Sequence, residues 1–400
     1  MRRTIVGVIV AALLLAQIPI INSKLAVASD KLSYNKVWET KAEDRISFKP
    51  AIAEDGSMYG VCSDKNSEYL NKLIKVKDGA VVWESEEEVG SETFFVDKIM
   101  LADNLVISAG LSSPDDDSAQ LLFVCYNTDG KKLWDKQYGL STVLPSYELH
   151  NKNIWMIFDN SVRVIDAKTG EETHKIDLES ANTQPSPNGE GDDDDVGIED
   201  FQLYFLSFSG NTLLINQLYK IRAYDVAEDF TLKLKWQKDF DEDDWGMMFL
   251  NMLLGAQANQ DVLIAADSEA SIKCFNPNTG EEMWTLDFGD SFLALFMYDQ
   301  SHMIMMSLTG TSCFDVKTKK LLWQKDSLLF PRVMDKDVFV TVGSIENLNL
   351  EDGVEVFDIN NGEKLCQIDE KGVSDILVSG DNLYIIKTNQ ISMYSKSVAK

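Results

Sequence analysis

Four consecutive carboxylates, Asp192, Asp193, Asp194 and Asp195, are the densest chemistry-bearing group in this 400-residue chain. A hard cation such as calcium takes oxygen ligands of this kind. The alternating ligand spacing and turn glycine of an EF-hand loop are missing, so a solvated acidic loop is the simpler expectation. His150, His174 and His302 are scattered, with no metal-ligand spacing. No Gly-x-Ser-x-Gly elbow, glycine-rich phosphate loop or His-Glu-x-x-His pair occurs. The methionines at 303–306 and Met247-Met248 suit apolar packing better than copper ligation. Cys125, Cys274 and Cys313 recur at one strand position in three units. That places them beyond the roughly 7 Å Cα separation a disulfide allows. With Cys62 and Cys366 they read as buried thiols. No residue is assigned to catalysis.

The elements that hold these residues are announced by one phrase, FNPNTGEEMW at 275–284. It reads strand, turn, strand, with Gly280 free to take the positive φ of a tight hairpin and a tryptophan at a fixed offset. The phrase recurs in weaker forms, with closing residues Trp38, Trp83, Trp134, His174, Trp236, Trp284, Trp323 and Cys366. These lie about 47 residues apart on average, a period of propeller blades or solenoid repeats. Each unit also holds an earlier hairpin tip, from Asp55-Gly56 and Asp103-Asn104 through to Gly380-Asp381-Asn382. Eight units of four strands, A to D, follow. The last unit lacks its own strand D, and Lys36 to Thr40, carrying Trp38, has the sequence to supply it. A strand from the other terminus removes an open sheet edge. The expected fold is all-β: an eight-bladed β-propeller of four-stranded antiparallel blades, closed by an N-terminal strand, over residues 36–396.

The Asp-x-x-Thr-Gly-x-x-x-Trp phrase resembles the repeat of the pyrroloquinoline-quinone (PQQ)-like propellers. That superfamily includes quinoprotein alcohol dehydrogenases and the propeller subunit of the bacterial outer-membrane assembly machine. The resemblance implies that Trp38, Trp83, Trp134, Trp236, Trp284 and Trp323 dock neighbouring blades. His174 and Cys366 depart from it, so looser contacts are expected there. A quinoprotein enzyme of this kind needs a central pocket for PQQ, a calcium site, a carboxylate base and commonly adjacent cysteines. None of these matches here residue by residue, so no cofactor is expected.

Met1-Arg2-Arg3, an apolar run to Ala16 and Ala26-Val27-Ala28 read as a signal peptide over 1–28, followed by a short linker over 29–35. An uncleaved membrane anchor is the alternative. Formal charge is −28, and the chain after residue 28 loses three positive charges to reach −31. That excludes nucleic acid or an anionic membrane surface as a natural partner. The segment 180–200, poor in apolar residues, is an inserted acidic loop between the third and fourth blades. Further acidic clusters at 84–88, 115–117, 239–244 and 346–352 fall in D-to-A or B-to-C connections, which a meander sends to one face. The expected protein is an extracytoplasmic, monomeric, non-catalytic scaffold that binds a protein or cell-envelope component through that face. A divergent PQQ- and calcium-dependent oxidoreductase and a small-ligand sensing domain are the alternatives.

Overall fold

The computed structural model describes residues 32–398 apart from 42–44, 47–49, 64–70, 86–94, 116–117, 140–145, 159–160, 179–203, 218–219, 240–256, 259–260, 269–270, 288–292, 300, 308–309, 330, 336 and 345–348. The signal segment and Asp192 to Asp195 lie outside the described residues. Among those described, eight antiparallel sheets follow one another along the chain. Blade 1 runs from Arg45 to Glu84, with Arg45–Ile46 and Ala51–Ile52 both pairing Met58–Ser63. Blades 2 to 7 are meanders of four strands each. Blade 8 takes Val373–Ser379, Asn382–Lys387 and Gln390–Val398 in order, and its outer strand is Leu32–Lys41 from the opposite end of the chain. That strand begins at Leu32 and not at Lys36, because Leu32 to Asn35 pair with Val398 to Ser395. The segment expected as a linker is therefore mostly strand.

The core is eight cores. Each buried apolar cluster joins two adjacent blades, and one joins blade 8 back to blade 1 through Tyr384, Ile386, Met58 and Ile74. The period of two along a strand explains this division. In blade 3, Ile154, Met156 and Phe158 face blade 2, while Trp155 and Ile157 face blade 4. Both faces of a middle strand are covered, so Ile154 to Phe158 are all buried in an unbroken apolar run.

A second repeat appears only in the register. In every blade the pairing of strand D slips by one residue immediately before the closing position: between Lys132 and Trp134 in blade 2, for example, and at Lys36/Trp38 in blade 8. Such a bulge bends the strand and re-aims the residue after it. It also twists an outer edge that would otherwise template pairing with another chain. In blades 8, 1, 2 and 5 the displaced residue faces solvent, which accounts for exposed Val37, Val82, Leu133 and Met283, whereas Leu322 of blade 6 and Leu365 of blade 7 pack against the core.

Candidate functional site

The six tryptophans form a chain of contacts around the ring. Each indole lies over the C–D turn of the next blade. A Cβ added to Gly79, Gly130, Gly170, Gly280 or Gly362 would fall 2.6–2.9 Å from Trp38, Trp83, Trp134, Trp236 or Trp323 respectively. Only a residue without a side chain admits that approach. Five indoles also donate Nε1–H to a backbone carbonyl of the same turn, Trp83 to Thr128, Trp134 to Ala167, Trp236 to Pro277, Trp284 to Val316 and Trp323 to Ile359, at 2.6–3.1 Å. Under Trp284 the turn position belongs to Lys319, held at φ 59°.

The two departures have different causes. At the junction of blades 3 and 4 both partners change. His174 replaces the indole, Phe230 at φ 65° replaces the glycine, and their rings lie 4.4 Å apart. Trp155 then packs on Phe230 and Phe208, and Phe208 stacks on His150 at 3.8 Å. A ladder of five rings crosses this junction in place of one indole. Cys366 in blade 7 has no C–D turn to meet, since the strands C and D of blade 8 are the two ends of the chain. It is 8% exposed, packed with Val338, Val354 and Tyr394. The contacts at both places are altered, not loose. The missing turn glycine near Phe230 was a readable signal for the first.

On the inner wall, side chains of blade 3 cap the backbone of blade 4. Ser146 Oγ accepts the Leu206 N–H at 2.8 Å, and the Glu148 carboxylate accepts the Phe208 N–H. Burial raises the pKa of Glu148 against the opposing pull of Lys98. Asp97 accepts the Tyr147 hydroxyl at 2.9 Å, and burial, then Asp97, drives that phenol upward. His150 takes Asn151 Nδ2 on its Nε2, and burial lowers its pKa. These groups satisfy neighbouring blades. Among the described residues no three His, Cys, Asp or Glu side chains gather as a metal-ligand set. Glu148 and Asp97 are thus both engaged in contacts between neighbouring blades.

The outer strand of blade 8 is held by a buried carboxylate. Glu370 receives Lys36 Nζ at 2.7 Å, and also Lys387 and the Tyr394 hydroxyl. Burial alone would raise the Glu370 pKa; the three donors outweigh it and hold the carboxyl down at about 2. A depressed carboxylate contributes stability that is complete above its unfolded value near 4.5 and is lost as pH falls towards 2. Glu370→Gln is expected to destabilise the ring by about 3 kcal/mol at pH 7, a penalty that shrinks as urea melts are repeated down to pH 2. A pH-independent difference between the two proteins would refute this assignment.

The remaining candidates are structural. All five cysteines are free and buried, and burial pushes Cys125, Cys274 and Cys313 up to about 12. Met303 and Met305 fill the core between blades 5 and 6. His302 sits between Asp299 and Asn360. Of the acidic clusters, Asp239 ends strand D of blade 4 and pairs with Lys220 at 3.4 Å. Glu351 and Asp352 lie in the strand Asn349–Asp358, not in a loop. Met247-Met248 and most of the acidic connections lie outside the described residues.

A family model described as outer membrane protein assembly factor BamB, of PQQ-repeat type, matches residues 268–393, the stretch containing the best-formed hairpin phrase. Over these residues the chain matches repeats of the PQQ-like β-propeller type. No curated protein matches the sequence. Among solved structures, the quinohemoprotein alcohol dehydrogenase ADHIIG from Pseudomonas putida HK5 superposes with a TM-score of 0.55 at 13% identity, over 94% of this chain and 78% of that one. The computationally designed protein Ika8 superposes with a TM-score of 0.54 at 12% identity, over 90% of this chain and 99% of that one. BamB from Moraxella catarrhalis, at 14% identity over 94% and 92%, superposes more loosely, with a TM-score of 0.43. At these identities the likeness is one of fold. The propeller is thus a scaffold on which chemistry must be argued from its own residues.

Proposed function

We propose that this PQQ-like propeller is an exported, non-catalytic scaffold that binds a basic protein partner in the cell envelope. The observation that carries the proposal is the inner wall: Ser146, Glu148 and Asp97 are engaged in contacts that join neighbouring blades. Loops on a rigid scaffold are the usual carriers of recognition. Export rests on the basic start, apolar run and Ala26-Val27-Ala28, and accords with the family description of an outer membrane assembly factor. Leu32–Lys41 serves as the latch that closes the ring in a monomer. Asp192 to Asp195, with the other acidic connections, form the loop face that steers the partner.

The test begins with cross-linking in intact cells to recover the partner. Its association with the purified chain is then followed with Asp192 to Asp195 changed to Asn. Association at low salt is expected to slow by about tenfold with the melting temperature unchanged. Equal rates would remove the loop from the proposal. Titration with PQQ and calcium is expected to leave the quinone absorbance unaltered, and a spectral shift would restore an oxidoreductase.

A further inference from the structure

Among the described residues, the seam between blades 7 and 8 leaves a gap lined by Asp335, Asp337 and Asp381. On the face carrying the A–B and C–D turns, Asp261 precedes strand B of blade 5. The pairs Leu263 with Phe275 and Phe339 with Phe357 show that Asp337 is its equivalent in blade 7. Asp261 receives Lys317 Nζ at 2.6 Å, from the C–D turn of the next blade. Asp103 of blade 2 is likewise matched by Lys152 of blade 3 at 2.8 Å. A lysine of the following blade thus neutralises an aspartate at two junctions of this face.

Blade 8 cannot supply one. Aligning Asn382–Ser395 on His302–Asp315 places Ser397 where blade 6 has Lys317. Ser397 instead bonds Ser33 Oγ at 2.6 Å and Asn35 Nδ2 at 2.7 Å, because here the chain continues as strand and does not turn. The absent hairpin leaves a pocket of about 300 Å³ lined by Tyr34, Asp335, Asp337, Val338, Asp381 and Lys396. Lys396 aligns with Val316 and forms no ion pair with these aspartates among the described residues. Burial first, and then Cys366, Asp381 and Asp335, raise the Tyr34 phenol to about 12.

We infer that this seam pocket binds a lysine side chain of a partner polypeptide, its ammonium meeting Asp337 and Asp335 as Lys317 meets Asp261. The carboxylates accept the ammonium protons, and the Tyr34 ring and Val338 flank the methylene stem. The site stands at the turn end of the blades, opposite the acidic connections, so it does not depend on the loop face.

The tripeptide acetyl-Ala-Lys-Ala-amide and its norleucine counterpart would be titrated into the full chain, with binding read by calorimetry and saturation-transfer NMR. The lysine peptide is expected to bind at least about tenfold more tightly than norleucine. Asp337→Asn is expected to remove that preference, while Asn at Asp192 to Asp195 leaves it intact. Equal binding of the two peptides, no binding of either, or unchanged affinity in Asp337→Asn overturns the inference. Binding only to a chain beginning at Leu32 would assign the pocket to the protein's own Ser29 to Lys31 and equally overturn it.

Discussion

Deleting Lys36 to Thr40 is expected to abolish cooperative folding at 25 °C. The strand containing them is paired along its length, from Leu32 with Val398 to Lys41 with Gln390. Its loss removes Trp38 from Gly79, Lys36 from Glu370 and the Thr40 hydroxyl from the Gly79 carbonyl. Truncating one packed indole costs about 3–5 kcal/mol, and a domain's whole stability is about 5–15 kcal/mol. In an open chain of blades that cost would be local. In a ring it is felt on two sides, because the cluster between blades 8 and 1 includes Trp38 as a packed neighbour. The uncovered edge of Gln390–Val398 is then free to pair with other chains. Size-exclusion chromatography and a urea melt check this: a monomer melting within a few degrees of the parent would refute the latch. Trp38→Ala, which keeps the strand, is expected to fold and to lose about 3–5 kcal/mol.

Opposite effects are expected from one position of the C–D turn in two adjacent blades. Gly280 sits at φ 70°, and an added Cβ would come 2.6 Å from Trp236 Cδ2. Gly280→Ala combines a left-handed penalty of about 1–2 kcal/mol with displacement of the indole, for a loss of about 3 kcal/mol in all. Lys319 holds the same place in blade 6 at φ 59° with an exposed side chain. Lys319→Gly relieves that strain and is expected to gain about 1 kcal/mol, less whatever the Nζ contact to the Thr285 carbonyl contributes. Phe230→Gly is the control: it relieves equal strain yet removes the ring that meets His174, so it is expected to destabilise. Thermal melts of the three variants decide the matter. A stabilised Gly280→Ala, or a destabilised Lys319→Gly, would show that turn conformation is not what seats the indoles.

These junctions mark the boundary of what could be read in advance. Asn276 to Gly280 form a turn because Asn276 caps Asn278 and Thr279 through its own side chain, and Gly280 closes back to the Asn276 carbonyl. All the atoms involved lie within five residues. Local chemistry of this kind repeats wherever the phrase repeats, so counting phrases counted blades. The bulge before each closing residue is different, because it depends on how strand D pairs with strand C. So is the exchange of indole and glycine for His174 and Phe230, which are far apart in the chain and compensate only in contact.

From its sequence alone, this protein could be known as an eight-fold repeat of hairpins with six indoles at matched offsets. Turn residues, strand alternation and the closing tryptophans act over short stretches of chain, so composition and spacing carry them. Only the tertiary structure decided that the outer strand starts at Leu32, that Glu370 anchors it, and that Asp337 is left without the lysine its counterpart has. Each depends on bringing residues near position 35 against residues near 335 and 395. The energy of such a meeting belongs to the closed ring and to no segment of it.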